Sequence, residues 1–362
     1  MKVSIVVPTF EEKENIPLLF ERIFKVFKIS KINGEIIVVD DDSQDGTANV
    51  VKEYCKKYPI KLIVRKGEKG LASACVEGFK VAKGDVIIVM DADLQHPPEK
   101  IPTLIDTIKD GADIAIASRY IEGGTTGEWD LSRKVVSKGA SALANLLFKE
   151  IKGIKDQQSG FFAFKKKVIE GVKLKPKGYK ILLEILVLGK HKKVEEIAYE
   201  FGERTSGKSK LGFSTIFSYL SHIIRLLWAS GKLTKLIKFC MVGLLGVGVN
   251  LGILYFLTSL GLYYMISGAI SIEISLLTNF FLNRAWTFKE EAKYVSMKNA
   301  IAKDHITRAI GILIQFASLY VFTELFNMYY ILSMTIGIII STIWNFVGNS
   351  RWVWKSEKQP NA

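Results

Sequence analysis

Cysteine is scarce. The 362 residues hold three, Cys55, Cys75 and Cys240, odd in number and far apart, so neither a disulfide framework nor a zinc site is indicated. A reducing compartment is expected for the part of the chain that carries the first two. Histidine is almost as sparse: His96, His191, His222 and His305 are isolated from one another, and none is assigned to catalysis. The start, MKVSIVVPTF, reads as a strand closed by proline and lacks the apolar core of a signal peptide, so the N-terminal part is expected in the cytoplasm. There is also no single basic arm. The net charge of +14 and pI near 9.4 come largely from Lys and Arg beside long apolar stretches, which suits anionic lipid headgroups and phosphate substrates better than nucleic acid. Lys165-Lys166-Lys167 and Lys192-Lys193 read as solvated or membrane-facing patches.

What the chain has instead is a composition that changes midway. Up to about Lys210, Lys, Glu and Asp mix with short apolar runs; from about Phe239 long apolar stretches dominate and raise the mean hydropathy to +0.21. The expected organisation is a soluble domain over 1–210, an amphipathic linker over 211–235, a four-helix membrane domain over 236–354 and a tail over 355–362. A helix needs about 20 apolar residues to cross the hydrocarbon core, and stretches 239–259, 263–283, 309–328 and 329–350 qualify. Lys232, Lys235 and Lys238 precede the first, Arg284 through Arg308 fill the linker after the second, and Arg351, Lys355 and Lys358 follow the fourth. The tips at Tyr263-Tyr264 and Tyr329-Tyr330 lack Lys and Arg, so an integral membrane protein with both ends cytoplasmic is predicted.

Asn279-Phe280-x-x-Asn283-Arg284-x-Trp286 ends the second stretch and Asn345-Phe346-x-x-Asn349-Ser350-Arg351-Trp352 the fourth, which points to a duplicated hairpin. Glu273 lies inside a span, with no partner visible in the sequence, and is a functional candidate by its cost there. Glu324, nearer an outer end, is read as reaching water. Between the halves, Phe213, Ile216, Phe217, Leu220, Ile223, Ile224 and Leu227 recur at helical spacing opposite Ser214, Ser218, Ser221 and Arg225. This pattern predicts a helix lying on the membrane, with a core helix as the alternative.

In the first half, strands are read at Val3–Val7, Glu35–Val39, Lys61–Val64, Val86–Met90 and Asp113–Ala117, alternating with helices over 15–27, 48–57, 71–82 and 98–109. Such alternation indicates an α/β fold with a mostly parallel sheet, whose ligands gather at the carboxyl ends of the strands. That rule brings Pro8–Glu12, Asp40–Asp42 and Asp91–Gln95 to one mouth. Along an extended strand residues i and i+2 point to the same side, so Asp91, Asp93 and Gln95 are expected to converge on one point, where three oxygen ligands suit Mg²⁺ or Mn²⁺ completed by substrate phosphates. Asp45 and Thr47 are assigned to a helix start.

Several motifs occur in order: Val7-Pro8-Thr9-Phe10-x-Glu12, Val38-Val39-Asp40-Asp41-x-Ser43-x-Asp45-Gly46-Thr47, Asp91-Ala92-Asp93-Leu94-Gln95-His96-Pro97, Ser118-Arg119-Tyr120, Trp129 through Ser137, and Arg204-x-x-Gly207-x-Ser209-Lys210-Leu211-Gly212. Over residues 3–213 the chain resembles the inverting family 2 glycosyltransferases of GT-A fold, and among them the dolichyl-phosphate mannose synthases. The membrane half resembles the GtrA-like proteins, which are suspected of moving lipid-linked sugars; a plain anchor is the alternative. The first resemblance implies that Pro8, Phe10, Glu12, Val38, Asp40, Asp42 and Ala92 line the nucleotide-sugar site and that Asp91, Asp93 and Gln95 hold the metal. It further implies that Arg119, Arg204 and Lys210 contact phosphates and that Arg133 and Ser137 lie on an acceptor loop. Phe10 stands where Tyr is common.

The implied reaction takes mannose from GDP-mannose to dolichyl or another polyprenyl phosphate. UDP-glucose as donor, or a lipid-sugar translocase that only senses nucleotide-sugar, remain alternatives. A phosphate acceptor needs no general base, because its second pKa of about 6 leaves it largely ionised near neutral pH. Nothing in the sequence bears on oligomeric state.

Overall fold

Val3–Thr9 (β1) is buried at every position, as a strand covered on both faces must be. It joins Gly34–Asp40 (β2), Ile60–Val64 (β3), Val86–Val89 (β4), Ile114–Ser118 (β5), Phe162–Lys165 (β6) and Val194–Ala198 (β7) in one sheet. The order is β3-β2-β1-β4-β6-β5-β7. β6 runs antiparallel to β4 and β5, and the other pairings are parallel. The structure is a computed structural model that describes residues 1–67, 69–125, 131–176, 180–202 and 213–355, without the side chains of 131–138 and 213–217.

The predicted alternation is present: Ile16–Ile29 (α1), Thr47–Cys55 (α2), Leu71–Val81 (α3) and Ile101–Lys109 (α4) connect the first five strands. α1 shows why. Pro17 pre-sets the first turn, and Ile16, Leu19, Phe20, Ile23, Val26 and Phe27 form one buried stripe. Each such side chain contributes roughly 1.5–3 kcal/mol of burial. Leu131–Leu147 (α5), Ile181–Leu188 (α6) and Phe213–Ala229 (α7) complete this unit, which spans Met1–Ser230.

For α7 the alternative of a core helix holds in part. Tyr219, His222, Ile223, Leu226 and Leu227 are buried within the unit, while Leu220, Ile224 and Trp228, spaced four apart, stay exposed. Apolar residues cover more of its circumference than one contact can use, so one stripe packs and a second faces out. Arg225, assigned to a polar face, instead pairs with the fully buried Glu184 of α6.

The second unit, Gly231–Ala362, holds Lys232–Ser259 (α8), Tyr264–Leu282 (α9), the short Lys289–Ala292 (α10), Met297–Tyr320 (α11) and Tyr330–Gly348 (α12). Four helices are long and apolar enough to cross a membrane: Lys232–Ser259, Tyr264–Thr287, Met297–Leu325 and Tyr330–Val353. The third begins at Met297, inside the stretch read as linker, because its charges pair along the helix: Arg308 Nε donates to Asp304 Oδ2 at 2.7 Å.

Packing in this unit is inverted relative to a soluble core. Large apolar residues such as Leu244, Leu251, Phe316 and Ile339 are exposed, while Ser267, Ser271, Ser275 and Asn279 are buried at every fourth position of α9. Lipid tails are as apolar as leucine, so small and polar residues form the helix contact instead. Ser275 Oγ donates to the Gly246 carbonyl at 2.7 Å, and Gln315 Nε2 donates to Ser341 Oγ at 2.7 Å. A Cβ on Gly246 would fall 2.3 Å from the Asn279 amide, and one on Gly311 2.7 Å from that of Asn345. The two hairpins are therefore built alike, as the repeated motif predicts. Glu273 does have a partner: Nε2 of His305 on α11 lies 3.3 Å from its Oε1.

Candidate active site

With β6 antiparallel and the rest aligned, the carboxyl ends of six strands and the start of β6 open on one side of the sheet. Three loops there hold non-glycine residues in the left-handed region: Glu11 at φ 61°, Asp42 at 55° and Leu94 at 64°. Such conformations cost on the order of 1 kcal/mol or more each and gather at functional sites.

On the β1–β3 side, Asp40 is wholly buried and its carboxylate accepts three hydrogen bonds, from Thr9 Oγ1 (2.9 Å), Ser43 Oγ (2.7 Å) and Ser43 N (2.9 Å). It ties the end of β1 to the loop after β2. Asp41 grips Arg65 and the Gly70 amide, the latter at 2.7 Å, which holds the loop after β3 at both ends. The buried Arg65 was not singled out by the sequence. Lys69, on that loop, sits 4.7 Å over the ring of Phe10. Glu12 accepts from Asn15 Nδ2 at 2.7 Å. Pro8, Val38 and Ala92 are buried. Asp45 serves the helix start, accepting from Thr47 N (2.9 Å) and Thr47 Oγ1 (2.6 Å); against its partial burial, these bonds lower its pKa.

The Asp91–Gln95 segment departs from the expected geometry. β4 stops at Val89, and Leu94 is left-handed, so the three candidate ligands do not alternate along an extended strand. Asp93 Oδ1 accepts the Gln95 N–H at 3.2 Å, a local turn that competes with strand pairing. Gln95 Nε2 donates to Gly202 O at 2.9 Å, so of its side-chain atoms the carbonyl oxygen is the one that could hold a cation. Among the described residues no three His, Cys, Asp or Glu side chains gather to hold a metal ion. The donor chemistry nevertheless suits a hard divalent ion, with two carboxylates and an amide oxygen in five residues and the Asp91 side chain 30% exposed at the mouth.

Behind Asp91 stands His96, 2% exposed. Its Nδ1 accepts the Asp91 N–H at 3.0 Å, and its ring stacks on Phe161 with centroids 5.3 Å apart. Burial, reinforced by the Arg119 charge, pushes its pKa down to about 3, so the imidazole is neutral and serves as an acceptor. Gly160 completes the wall: a Cβ there would lie 2.9 Å from Asp91 Oδ2 and 3.0 Å from His96 Cε1.

Arg119 at the end of β5 is 9% exposed and locked by Asp156. Nε and Nη2 each donate to its carboxylate at 2.8 Å, and the Arg119 backbone N–H adds a third bond at 3.1 Å. Burial opposes the charge, but Asp156 outweighs it and raises the guanidinium pKa. Asp156 in turn is held by Glu196, which accepts the Lys155 and Asp156 amides at 2.8 and 2.9 Å.

Lys180 is also buried, bonded to Gln158 Oε1 and 4.0 Å over the Tyr219 ring of α7. Desolvation, then the Arg119 charge, push its pKa down to about 7. Asp156, Gly160 and Lys180 were missed by the sequence reading. The one available signal was the polar run Asp156-Gln157-Gln158-Ser159-Gly160 before an apolar strand.

Arg133 and Ser137 belong to α5, a helix rather than the expected loop, and their side chains lie outside the described residues. Arg204, Lys210, Trp129 and Asp130 also lie outside them. The structure thus brings Phe10, Asp40, Asp42, Asp91, Asp93, Gln95 and Arg119 to the loops of one mouth.

Residues 4–172 match the description Glycosyl transferase family 2, and residues 238–354 match GtrA/DPMS, transmembrane domain. A dolichol-phosphate mannosyltransferase of Pyrococcus furiosus is 46% identical over 354 residues, 98% of this chain and 99% of that one. The enzyme of the same name from Saccharomyces cerevisiae is 37% identical over 62% of this chain and 86% of its own. Among solved structures, mannosyl-3-phosphoglycerate synthase from Rubrobacter xylanophilus aligns at a TM-score of 0.50 and 20% identity, covering 64% of this chain and 75% of that one, which bears on fold alone. The chain therefore belongs to the dolichol-phosphate mannosyltransferases, glycosyltransferases of family 2 that here carry a GtrA/DPMS transmembrane domain.

Proposed function

We propose that this membrane enzyme transfers mannose from GDP-mannose to dolichyl or another polyprenyl phosphate, with inversion at the anomeric carbon, from a site on the cytoplasmic face. The observation that carries this reading is the near-full-length similarity to a dolichol-phosphate mannosyltransferase, joined to a carboxylate-bearing loop at the sheet's mouth. Asp91, Asp93 and the Gln95 carbonyl are the residues that would hold Mg²⁺ or Mn²⁺. When bound, such an ion compensates the charge of the departing diphosphate.

The chain's own residues do the rest. His96 and Gly160 fix the backbone and the room of Asp91. Asp156 holds Arg119 in one orientation, so its charge is positioned for a phosphate without loss of side-chain freedom. Arg133, Ser137, Arg204 and Lys210 are proposed to meet the phosphates from the neighbouring segments, and Pro8, Phe10, Glu12, Val38, Asp40, Asp42 and Ala92 to line the nucleotide. The attacking group is the ionised lipid phosphate oxygen. It displaces GDP in line, forms the new C–O bond at the anomeric carbon and requires no proton removal, which agrees with a buried His96 whose Nδ1 is already occupied.

The test is the mass of the lipid product after incubation with a panel of nucleotide-sugars, Mn²⁺ and dolichyl phosphate. A hexosyl phospholipid from GDP-mannose is expected. Formation only from UDP-glucose, or no lipid product with any donor, would overturn the proposal.

A further inference from the structure

The fold buries a second cation beside Arg119, and the transfer reaction leaves it without a task. Lys180 stands immediately before α6 and is 9% exposed, as Arg119 is. It reaches the mouth through Gln158, whose Oε1 accepts from its Nζ. Gln158 lies two residues after Asp156, which locks Arg119, and two before Gly160, which abuts Asp91. One short segment ahead of β6 thus serves a candidate metal ligand and both cations.

The ammonium is also fixed by α7. It lies 4.0 Å from the centroid of the Tyr219 ring, and that ring is itself pinned, because the Tyr219 hydroxyl donates to the Ala140 carbonyl of α5 at 2.6 Å. α5 is the helix that carries Arg133 and Ser137. Lys180 therefore sits where α5, α7 and the Arg119 pocket meet.

Charged and titratable groups face it from each neighbouring element. Burial first, then the Arg119 charge from β5, hold the Lys180 pKa down at about 7, with Asp156 acting the other way. On α6 the fully buried Glu184 is engaged by Arg225 of α7 and by the Lys175 amide at 2.6 Å. His222 of α7, 1% exposed, is pushed down to about 4 by burial and then by the Arg225 and Lys180 charges, so it is neutral near pH 7. Asp156 already accepts three bonds from Arg119. Two like charges held near each other out of water are costly, and an incoming anion relieves that cost.

We propose that Lys180 is a positioning residue for the acceptor: its ammonium, held by Gln158 and Tyr219, adds a second positive charge beside Arg119 and makes the pocket select a lipid phosphate over the neutral lipid alcohol. This role rests on the reading of the acceptor as a lipid phosphate. It acts through the field at the Arg119 pocket and requires no contact between Lys180 and the ligand. Phosphate binding and the charge on Lys180 then favour each other by the same factor. A coupling of about tenfold moves the Lys180 titration from about pH 7 to about pH 8 when phosphate binds, so affinity falls as pH rises through that interval. The second ionisation of the acceptor, near pH 6, is nearly complete by then and acts in the opposite direction.

The experiment uses the full chain in neutral detergent, without sugar donor, and reads the binding of farnesyl phosphate and of farnesol by titration calorimetry between pH 6.5 and 8.5. Wild type is expected to bind the phosphate and to lose several-fold in affinity across that range. Lys180→Arg, charged throughout, should hold its affinity. Lys180→Met should bind several-fold more weakly than wild type at pH 6.5 and come within about twofold of it at pH 8.5, a convergence that a merely structural role would not produce. In mannosyl transfer at pH 6.5, Lys180→Met should raise KM for dolichyl phosphate with KM for GDP-mannose near wild type. Wild-type binding by Lys180→Met at pH 6.5, a fall in Lys180→Arg as steep as in wild type, or farnesol bound as tightly as farnesyl phosphate overturns the assignment. If Lys180→Met does not fold, Lys180→Arg decides. The expected pH dependence of binding without transfer from GDP-mannose would sink the transfer reading and uphold the role of Lys180.

Discussion

Gly160→Ala is the sharpest probe of how Asp91 is held. The added Cβ would lie 2.9 Å from Asp91 Oδ2, 3.4 Å from its Cγ and 3.0 Å from His96 Cε1. The imidazole has nowhere to go, because it is 2% exposed, stacked on Phe161 and bonded to the Asp91 amide. The carboxylate, 30% exposed, is the part that yields, by about half an ångström if an ordinary contact is to be restored. A misplacement of about 1 Å in a reacting constellation costs about 10²-fold, so half of that predicts roughly a tenfold loss of transfer. Gly160 is not among the residues with positive φ, so alanine meets no backbone penalty, and overpacking should cost only about 1–3 kcal/mol. The assay is mannosyl transfer to dolichyl phosphate against Mn²⁺ concentration, with GDP binding measured alongside. The half-saturating Mn²⁺ should rise while GDP affinity without metal stays near wild type. Unchanged turnover and unchanged metal dependence would refute the reasoning that Gly160 sets the position of Asp91.

Asp91→Ala should abolish metal-dependent transfer with the fold retained, since one carboxylate fewer leaves a charge-deficient site; residual activity near wild type would contradict the metal assignment. Asp156→Asn keeps the shape at Arg119 but removes the charge that orders it. It should raise KM for the lipid phosphate about tenfold or more, measured in detergent micelles, and recover with Asp156→Glu more than with Asp156→Ala. His96 makes a pH prediction. Its folded pKa of about 3 lies below the unfolded value of 6.5, so between these the unfolded chain binds the extra proton and stability falls as pH falls below 6.5. His96→Gln should therefore flatten the acid limb of the melting-temperature profile between pH 6.5 and 4, relative to wild type; an equally steep limb would exclude His96 as a source of it.

The soluble fold was legible because its strands are apolar on both faces and its helices on one. Ile5–Val7, Ile36–Val39 and Val86–Val89 read as continuous apolar runs, and periodicity placed α1 to within a few residues. The membrane hairpins were legible for the same reason. The start of the third span was not, because Lys298, Lys303, Asp304 and Arg308 count against a span when taken singly. Folded on one helix face, Asp304 and Arg308 neutralise each other, and the cost that suggested a linker falls away. The partner of Glu273 was hidden by distance: His305 stands 32 residues on, in the other hairpin.

The site was legible in its chemistry and not in its geometry. Asp91, Asp93 and Gln95 were recognisable as oxygen ligands after a buried strand, yet the inference that they alternate required the strand to continue. It does not: the strand has ended at Val89, and the Asp91 N–H bonds to His96 rather than to a neighbouring strand. A side chain that accepts the N–H two residues on offers the backbone a turn, and Leu94 goes left-handed to make it. The residue type that suits a metal is thus also one that turns the backbone, so an Asp-x-Asp motif just past a strand end is better read as a turn carrying candidate ligands than as a strand presenting them. The supports were invisible for a different reason. Asp156 acts on Arg119 across 37 residues, and Gly160 shapes the pocket by what it lacks. A lone aspartate and a lone glycine carry no local pattern; only the closure of β6 between β4 and β5 brings them to the mouth. If that is why they were missed, substitutions at Asp156 and Gly160 should alter transfer while leaving every motif of the family intact.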